Sequence, residues 1–406
     1  MQGFSFSKSL LAILSMLLFV VSGFGATVSS GRVSKSKTQI TEKPGTKKKL
    51  VATGHSRTGV RRARRVRRHR YYERFTASSF ASDQASGDIT TGEDPLVRQA
   101  AVDALGDMNG TVVAIDPASG RVLAMVNQKL ALSEGAQPCS TIKIAVALAS
   151  LSEGIVTKDT KINLGGWRMD MNQALAHSNN LYFEALGRRL GFEKVSYYAH
   201  QFGLGELAGW NIEGEHLGEF PTEVLPAKLG GVGKMCSFGE SISMTPLQLG
   251  ALVSAIANGG TLYYLQHPAS AEELTNFQPK VKRYLDIAPL IPEVSVGMLG
   301  ATQYGTARSL RSSFFQEDVI GKTGTCSKDG TRYGWFASYA NTQYGRIVTV
   351  FFLEGGRPTF GPKAAELAGK FYRALYDGNY FAERPAATAM QTSRPAAAAA
   401  IVGATQ

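Results

Sequence analysis

Cysteine and histidine are scarce in this chain, three and six among 406 residues. No Cys-x-x-Cys pair and no His-Glu-x-x-His occurs, and the histidines are scattered, which argues against a zinc site or a zinc peptidase. No metal or other cofactor is expected. Gly321-Lys322-Thr323 has the ending of a phosphate-binding loop, but the first glycine of that motif falls on Gln316, so the nucleotide reading fails. Internal repeats are also lacking. With only Cys139, Cys236 and Cys326 available, an exported chain has room for one disulfide and one free thiol. For Cys139 and Cys326 the expectation is small buried packing.

What is present begins with an apolar run from Leu10 to Val21 behind Lys8, followed by Ser22-Gly23-Phe24-Gly25-Ala26. Residues 1–26 therefore read as a signal peptide or a membrane anchor, and the rest as exported to the cell envelope. The formal charge of +12 is concentrated rather than spread. Residues 27–75 hold 16 Lys and Arg against Glu42 and Glu73, a net of +14, which leaves the remainder at −2. Such an arm is expected to be disordered by self-repulsion. Behind an export signal its natural counterparts are anionic lipid or wall polymer, and no nucleic acid partner is expected. A purely solvating spacer accounts for it equally.

Residues 76–107 are polar and weakly patterned and read as a linker ending in a short helix. The folded region, 108–380, opens with strands at Thr111 to Ile115 and Arg121 to Met125 around a turn. An Ala-rich helix of about four turns runs from Ser140 to Gly154. Helical pieces flank Ser178-Asn179-Asn180, with Gly191 as a stop, and another ends at Gly203. The tract from Leu204 to Ser243 is Gly-rich and reads mostly as loop. Thr245-Pro246 opens a helix that Asn258-Gly259 closes. After a helical stretch from Pro292 to Tyr304 come three strands, at Asp318 to Cys326, Arg332 to Tyr339 and Arg346 to Leu353. A last helix spans Glu366 to Tyr376, and an Ala/Pro-rich tail, 381–406, reads as disordered. Strands, helices, strands, helix imply an α+β fold: one antiparallel sheet whose sequence is interrupted by a helical insert.

Three short motifs carry chemistry. Ser140-x-x-Lys143 places an amine one turn from a hydroxyl at the start of a helix, where backbone N–H groups favour an oxyanion. Ser178-Asn179-Asn180 sits at a helix junction, and Lys322-Thr323-Gly324-Thr325 lies on a strand. Singly each is weak, because a lysine on a helix face is usually solvated and a Ser-Asn-Asn run usually caps or turns. In this order the set resembles the penicillin-binding protein transpeptidase family, for which such Ser-x-x-Lys and Lys-Thr-Gly motifs are general knowledge. Phe238 to Leu249, Gly305-Thr306-Ala307 and Gly334-Trp335-Phe336 resemble further family stretches, so the likeness covers about residues 108–380.

The resemblance implies a serine β-lactamase/DD-transpeptidase-like fold, with an antiparallel sheet flanked by helices and an inserted all-helical subdomain. It implies that Ser140 attacks a D-alanyl-D-alanine peptide of peptidoglycan, or a β-lactam, and that Lys143 takes its proton. Ser178 would relay a proton to the leaving amine, and Asn180 would bond Lys143 and the substrate amide. Lys322, Thr323 and Thr325 would bind the substrate carboxylate, Gly324 would permit close approach, and the backbone N–H groups of Ser140 and Thr325 would form the oxyanion hole. The expected activity is that of a DD-transpeptidase or DD-carboxypeptidase. A non-turnover sensor of β-lactam or wall fragments, and then a serine β-lactamase, are the alternatives. No glycosyltransferase region precedes the motifs, and no Glu-x-x-Leu-Asn lies between Ser178 and Lys322, so stable acylation by β-lactams is expected over rapid hydrolysis.

Overall fold

The computed structural model describes residues 74–381; residues 1–26, read as a signal peptide or anchor, and almost all of the basic arm and of the Ala/Pro-rich tail lie outside them. Along the chain run α1 (Pro95–Leu105), β1 (Gly110–Asp116), β2 (Arg121–Val126) and α2 (Gln128–Ala131). A single 3-10 turn, Cys139–Ile142, leads into α3 (Lys143–Ser152). The insert continues with β3 (Ile162–Asn163), β4 (Arg168–Met169), α4 (Met171–Ala176), α5 (Asn180–Gln201), α6 (Gly231–Phe238) and α7 (Pro246–Ala257). Then follow β5 (Thr261–Tyr264), α8 (Ala271–Thr275), β6 (Lys280–Tyr284) and α9 (Ile291–Gln303). The chain closes with β7 (Val319–Lys328), β8 (Thr331–Thr342), β9 (Gly345–Gly355) and α10 (Gly361–Asp377).

Five strands form one antiparallel sheet in the order β2-β1-β9-β8-β7. The first two strands and the last three are thus brought together across the helical insert, the α+β layout that the order of elements implies. Successive strand residues point to opposite faces, and here both faces are covered. Val113, Ile115, Trp335, Ala337, Val348 and Val350 pack with the helices of the insert. Val112, Ala114, Phe336, Phe351 and Leu353 pack with α1 and α10 on the other side. The strands read as apolar at consecutive positions for that reason. β7 is an edge strand, paired only with β8.

Helix boundaries follow local chemistry. Thr245 and Gln248 form a reciprocal capping box ahead of Pro246 at the first turn of α7. Asn179 caps α5 by accepting from the N–H of Tyr182. Gly191, at φ 76, interrupts α5 where the sequence places a stop. The Gly-rich tract 204–243 is mostly loop, as its composition implies, and the one α-helix in it is α6. Its helix packs on α5 at small residues: a Cβ on Gly187 would meet the Cys236 sulfur at 2.6 Å. That contact is tertiary and leaves no periodic trace in the sequence.

The short helix expected at the end of 76–107 is α1, and it is packed rather than a free linker end. Asp94 caps it, its carboxylate accepting from the N–H groups of Leu96 and Val97, and it buries Val97, Ala100, Ala101, Ala104 and Leu105. Those spacings make one apolar face, which rests against the sheet and α10. Alanine supplies most of that face, so its hydropathy is low while its burial is complete. Leu105→Ala should cost about 2–5 kcal/mol of unfolding free energy, the range for emptying a core leucine site. A denaturant-unfolding loss below about 0.5 kcal/mol, typical of surface positions, would restore α1 to a linker.

Candidate active site

The serine turn is pinned to the sheet before it reaches Ser140. The indole N–H of Trp335 donates to the Gln137 carbonyl at 3.0 Å. A Cβ on Gly324 would lie 2.9 Å from the Pro138 carbonyl oxygen, so β7 passes this close only because position 324 is glycine. Cys139 is fully buried at φ 52 and is joined by a disulfide to Cys326, with the Cα atoms 5.5 Å apart. The expectation of unlinked packing for Cys139 and Cys326 is corrected here. The two residues are 187 positions apart, and only the register of β7 against the turn brings them together. Cys236 remains a free, buried thiol whose pKa is pushed up to about 12 by burial.

Ser140 and Lys143 lie one turn apart, with Lys143 Nζ 3.0 Å from Ser140 Oγ. Ser178 stands at φ 55 between α4 and α5, a left-handed position that turns its carbonyl and hydroxyl back to the same amine. Lys143 Nζ donates to Ser178 O at 2.8 Å and to Asn180 Oδ1 at 2.6 Å, and lies 3.2 Å from Ser178 Oγ. A neutral amine has two N–H bonds and one lone pair. Two acceptors that can only accept take both N–H bonds, which leaves the lone pair for a hydroxyl. Burial holds the Lys143 pKa well below the usual lysine range, and the Lys322 ammonium lowers it further against the opposing pull of Glu184.

Lys322 reaches the same hydroxyl from the other side. Its Nζ donates to Ser178 Oγ at 2.8 Å and to the Thr323 carbonyl at 2.9 Å. It is fully buried, and burial lowers its pKa to about 7. Ser178 Oγ thus sits between two amines. Lys322 and Gly324 point toward the serine turn, while Thr323 and Thr325 take the alternate positions of the edge strand. All eight residues singled out in the sequence, Ser140, Lys143, Ser178, Asn180, Lys322, Thr323, Gly324 and Thr325, therefore fall on the serine turn, the α4–α5 junction and the facing stretch of β7. Among the described residues, every hydrogen bond to the side chains of Ser140, Lys143 and Ser178 comes from an amine, hydroxyl, amide or carbonyl group, none from a carboxylate.

Two contacts go beyond the residues singled out in the sequence. The Gly361 N–H, at the start of α10, donates to Thr325 Oγ1 at 2.8 Å. Glycine is required there, since a Cβ would meet the Gly324 carbonyl oxygen at 2.7 Å. Thr306 Oγ1 lies 2.6 Å from Thr323 Oγ1. For Thr306 a signal existed, the Gly305-Thr306-Ala307 stretch; for Gly361 there was none.

Two measurements test this geometry. Closing so long a loop should make the disulfide worth about 2–4 kcal/mol, so reduction or Cys326→Ser should lower the denaturation midpoint. An unchanged midpoint would mean that the bond carries no stability. For Lys322, the unfolded chain binds a proton below about pH 10.5, while the folded chain binds it only below about 7. The unfolded state holds the extra proton between those values, so this lysine's stability contribution improves as pH rises through that window. Lys322→Met lacks this dependence, and its stability relative to the parent should fall by up to about 1.4 kcal/mol per pH unit between pH 7 and 10. Parallel stability curves for the two proteins would rule out a depressed Lys322.

Comparison with known proteins agrees with the fold and the placement of the motifs. Residues 110–376 match the family model of the penicillin binding protein transpeptidase domain. Stage V sporulation protein D of Bacillus subtilis is 28% identical over 53% of this chain and 39% of its own length. Peptidoglycan D,D-transpeptidase PbpA of Mycolicibacterium smegmatis is 24% identical over 80% of each chain. The chain thus spans about two fifths of the first relative and four fifths of the second. Pseudomonas aeruginosa PBP2 shares the fold, with a TM-score of 0.59 and 22% identity over 71% of this chain and 75% of that one. With two thirds of its length under one family model and its three motifs folded into one cluster, the chain belongs to the penicillin-binding protein transpeptidase family.

Proposed function

We propose that this protein is a peptidoglycan D,D-transpeptidase that works through an acyl-enzyme on Ser140. The observation that carries the reading is Lys143: a buried amine of depressed pKa, 3.0 Å from the serine hydroxyl, with both N–H bonds engaged elsewhere. Relatives named as peptidoglycan D,D-transpeptidases support the substrate class.

In the first step Ser140 Oγ attacks the carbonyl between the two terminal D-alanines while its proton passes to Lys143 Nζ. The oxyanion is received by the backbone N–H groups of Ser140 and Thr325. Ser178 Oγ, between the two amines, passes its proton to the departing nitrogen and takes one from Lys143. The C–N bond breaks, D-alanine leaves as an amine, and the acyl group stays on Ser140. An amine from a second stem peptide then attacks the ester, which restores the serine and forms the cross-link; water in its place gives the carboxypeptidase outcome. Lys322 supplies a buried positive charge beside Ser178, and together with the Thr323 and Thr325 hydroxyls it attracts the terminal carboxylate of the substrate. A penicillin presents the same carbonyl and carboxylate and acylates Ser140. The lack of a Glu-x-x-Leu-Asn pattern between Ser178 and Lys322 favours a long-lived adduct. Action outside the cytoplasm follows from the substrate, with the N-terminal run as signal or anchor and the basic arm as a contact to anionic lipid or wall polymer.

Mass spectrometry after incubation with a penicillin should show one adduct on Ser140 and none on Ser140→Ala. Release of D-alanine from a D-Ala-D-Ala peptide should be lost in the same variant. The second-order acylation rate should rise with pH as Lys143 sheds its proton. For a carboxylate-bearing penicillin it should fall again as pH passes about 7 and Lys322 loses its charge. With the carboxylate esterified, that fall should vanish. An adduct surviving in Ser140→Ala would sink the assignment, and equal alkaline limbs for both ligands would remove Lys322 from carboxylate recognition.

A further inference from the structure

The turn after α9 makes a connection that the mechanism above does not use. Gly305 lies so close to the end of α4 that a Cβ would stand 2.1 Å from the Ala176 carbonyl oxygen. The Thr306 N–H donates to that same carbonyl at 3.1 Å, and Ala307, fully buried, donates to Ala301 O at 2.8 Å. The backbone of Thr306 is therefore held from both sides. Its hydroxyl oxygen lies 2.6 Å from that of Thr323. One residue thus touches the strand that bears Lys322 and the loop that bears Ser178, two positions beyond Ala176.

The direction of that hydroxyl pair matters. A hydroxyl has one proton to donate and two lone pairs to accept with. At Thr325 the direction is fixed, because the Gly361 N–H can only donate, which leaves the Thr325 proton free for another acceptor. At Thr323 either oxygen can be the donor. If Thr323 donates to Thr306, its proton is spent. If Thr306 donates to Thr323, both strand threonines keep a proton for an incoming acceptor, and a carboxylate entering there favours this arrangement.

We propose that Thr306 is a positioning residue of the carboxylate subsite: its hydroxyl donates to Thr323, so that the Thr323 proton turns to the substrate carboxylate. This rests on the transpeptidase reading. Thr306→Val keeps the branched shape and removes the hydroxyl; Thr306→Ser keeps the hydroxyl and removes the methyl. The measurement is the second-order rate of Ser140 acylation by a penicillin and by its carboxylate ester.

Thr306→Val should slow the penicillin roughly tenfold, the worth of one hydrogen bond, and the ester less than about twofold, while Thr306→Ser should react with both nearly as fast as the parent protein. Three results overturn the inference: a Thr306→Val rate equal to the parent's with the penicillin, an equal loss for both ligands, or a Thr306→Ser rate as slow as that of Thr306→Val. In each of these the parent still forms the Ser140 adduct, so the acyl-enzyme on which the proposed function rests is untouched. A parent protein that forms no Ser140 adduct takes both down.

Discussion

Two amines share one hydroxyl in this protein, and much of the surrounding structure serves to hold them there. Lys143 and Lys322 approach Ser178 Oγ at 3.2 and 2.8 Å, both fully buried. Two buried ammonium groups this close would repel strongly, and removing either from water is costly in its own right. The site relieves that cost by letting lysines go partly neutral. Neutrality is also what the proposed chemistry needs, since only an unprotonated amine can take the proton of Ser140. Burial thus destabilises the charged fold and, on the proposed mechanism, supplies the base.

Such an arrangement stands only if the walls around it do not yield. The sheet offers two packed cores, one on each face, and β7 is clamped to the rest through ten register pairs with β8. The serine turn is fixed to that edge by the Trp335 indole, by the bare backbone of Gly324 and by the Cys139–Cys326 bond. These contacts join segments nearly two hundred residues apart, so the geometry of the site is a property of the closed sheet and of no local stretch. The left-handed backbone at Cys139 and Ser178 shows where the chain bends to meet it.

The same distinction decides what could be read from the sequence. The three motifs were legible because each is local: a serine and lysine one helical turn apart, a polar junction between helices, a short strand. The sheet was legible because strands flanked by turns announce themselves on both sides of a helical middle. The disulfide was not, because three cysteines allow three pairings and spacing gives no preference among them. Nor was α6, which packs against Gly187 of α5 in a crossing that only tertiary contact defines. The short helix expected at the end of 76–107 is α1, but its burial was not legible, because alanine buries well and scores poorly on apolar patterning. Gly361 had no signal at all, since its role is one backbone N–H aimed at Thr325.

Placing a buried lysine of pKa about 7 beside the base also shapes how the site would respond to its substrate. A carboxylate arriving next to Lys322 raises that lysine's affinity for a proton, so at or above neutral pH its binding draws a proton onto Lys322. The negative charge that enters is then matched by a positive charge on Lys322, whose Nζ shares the Ser178 hydroxyl with Lys143. Seen from Lys143 the two charges oppose, and burial, the largest cause of its depressed pKa, is unchanged. A carboxylate bound without such a partner would raise the pKa of the base and quench it. On this reading Lys322 does more than attract the substrate. It keeps the attraction from disarming Lys143, because a cation stands beside the carboxylate when the base is needed.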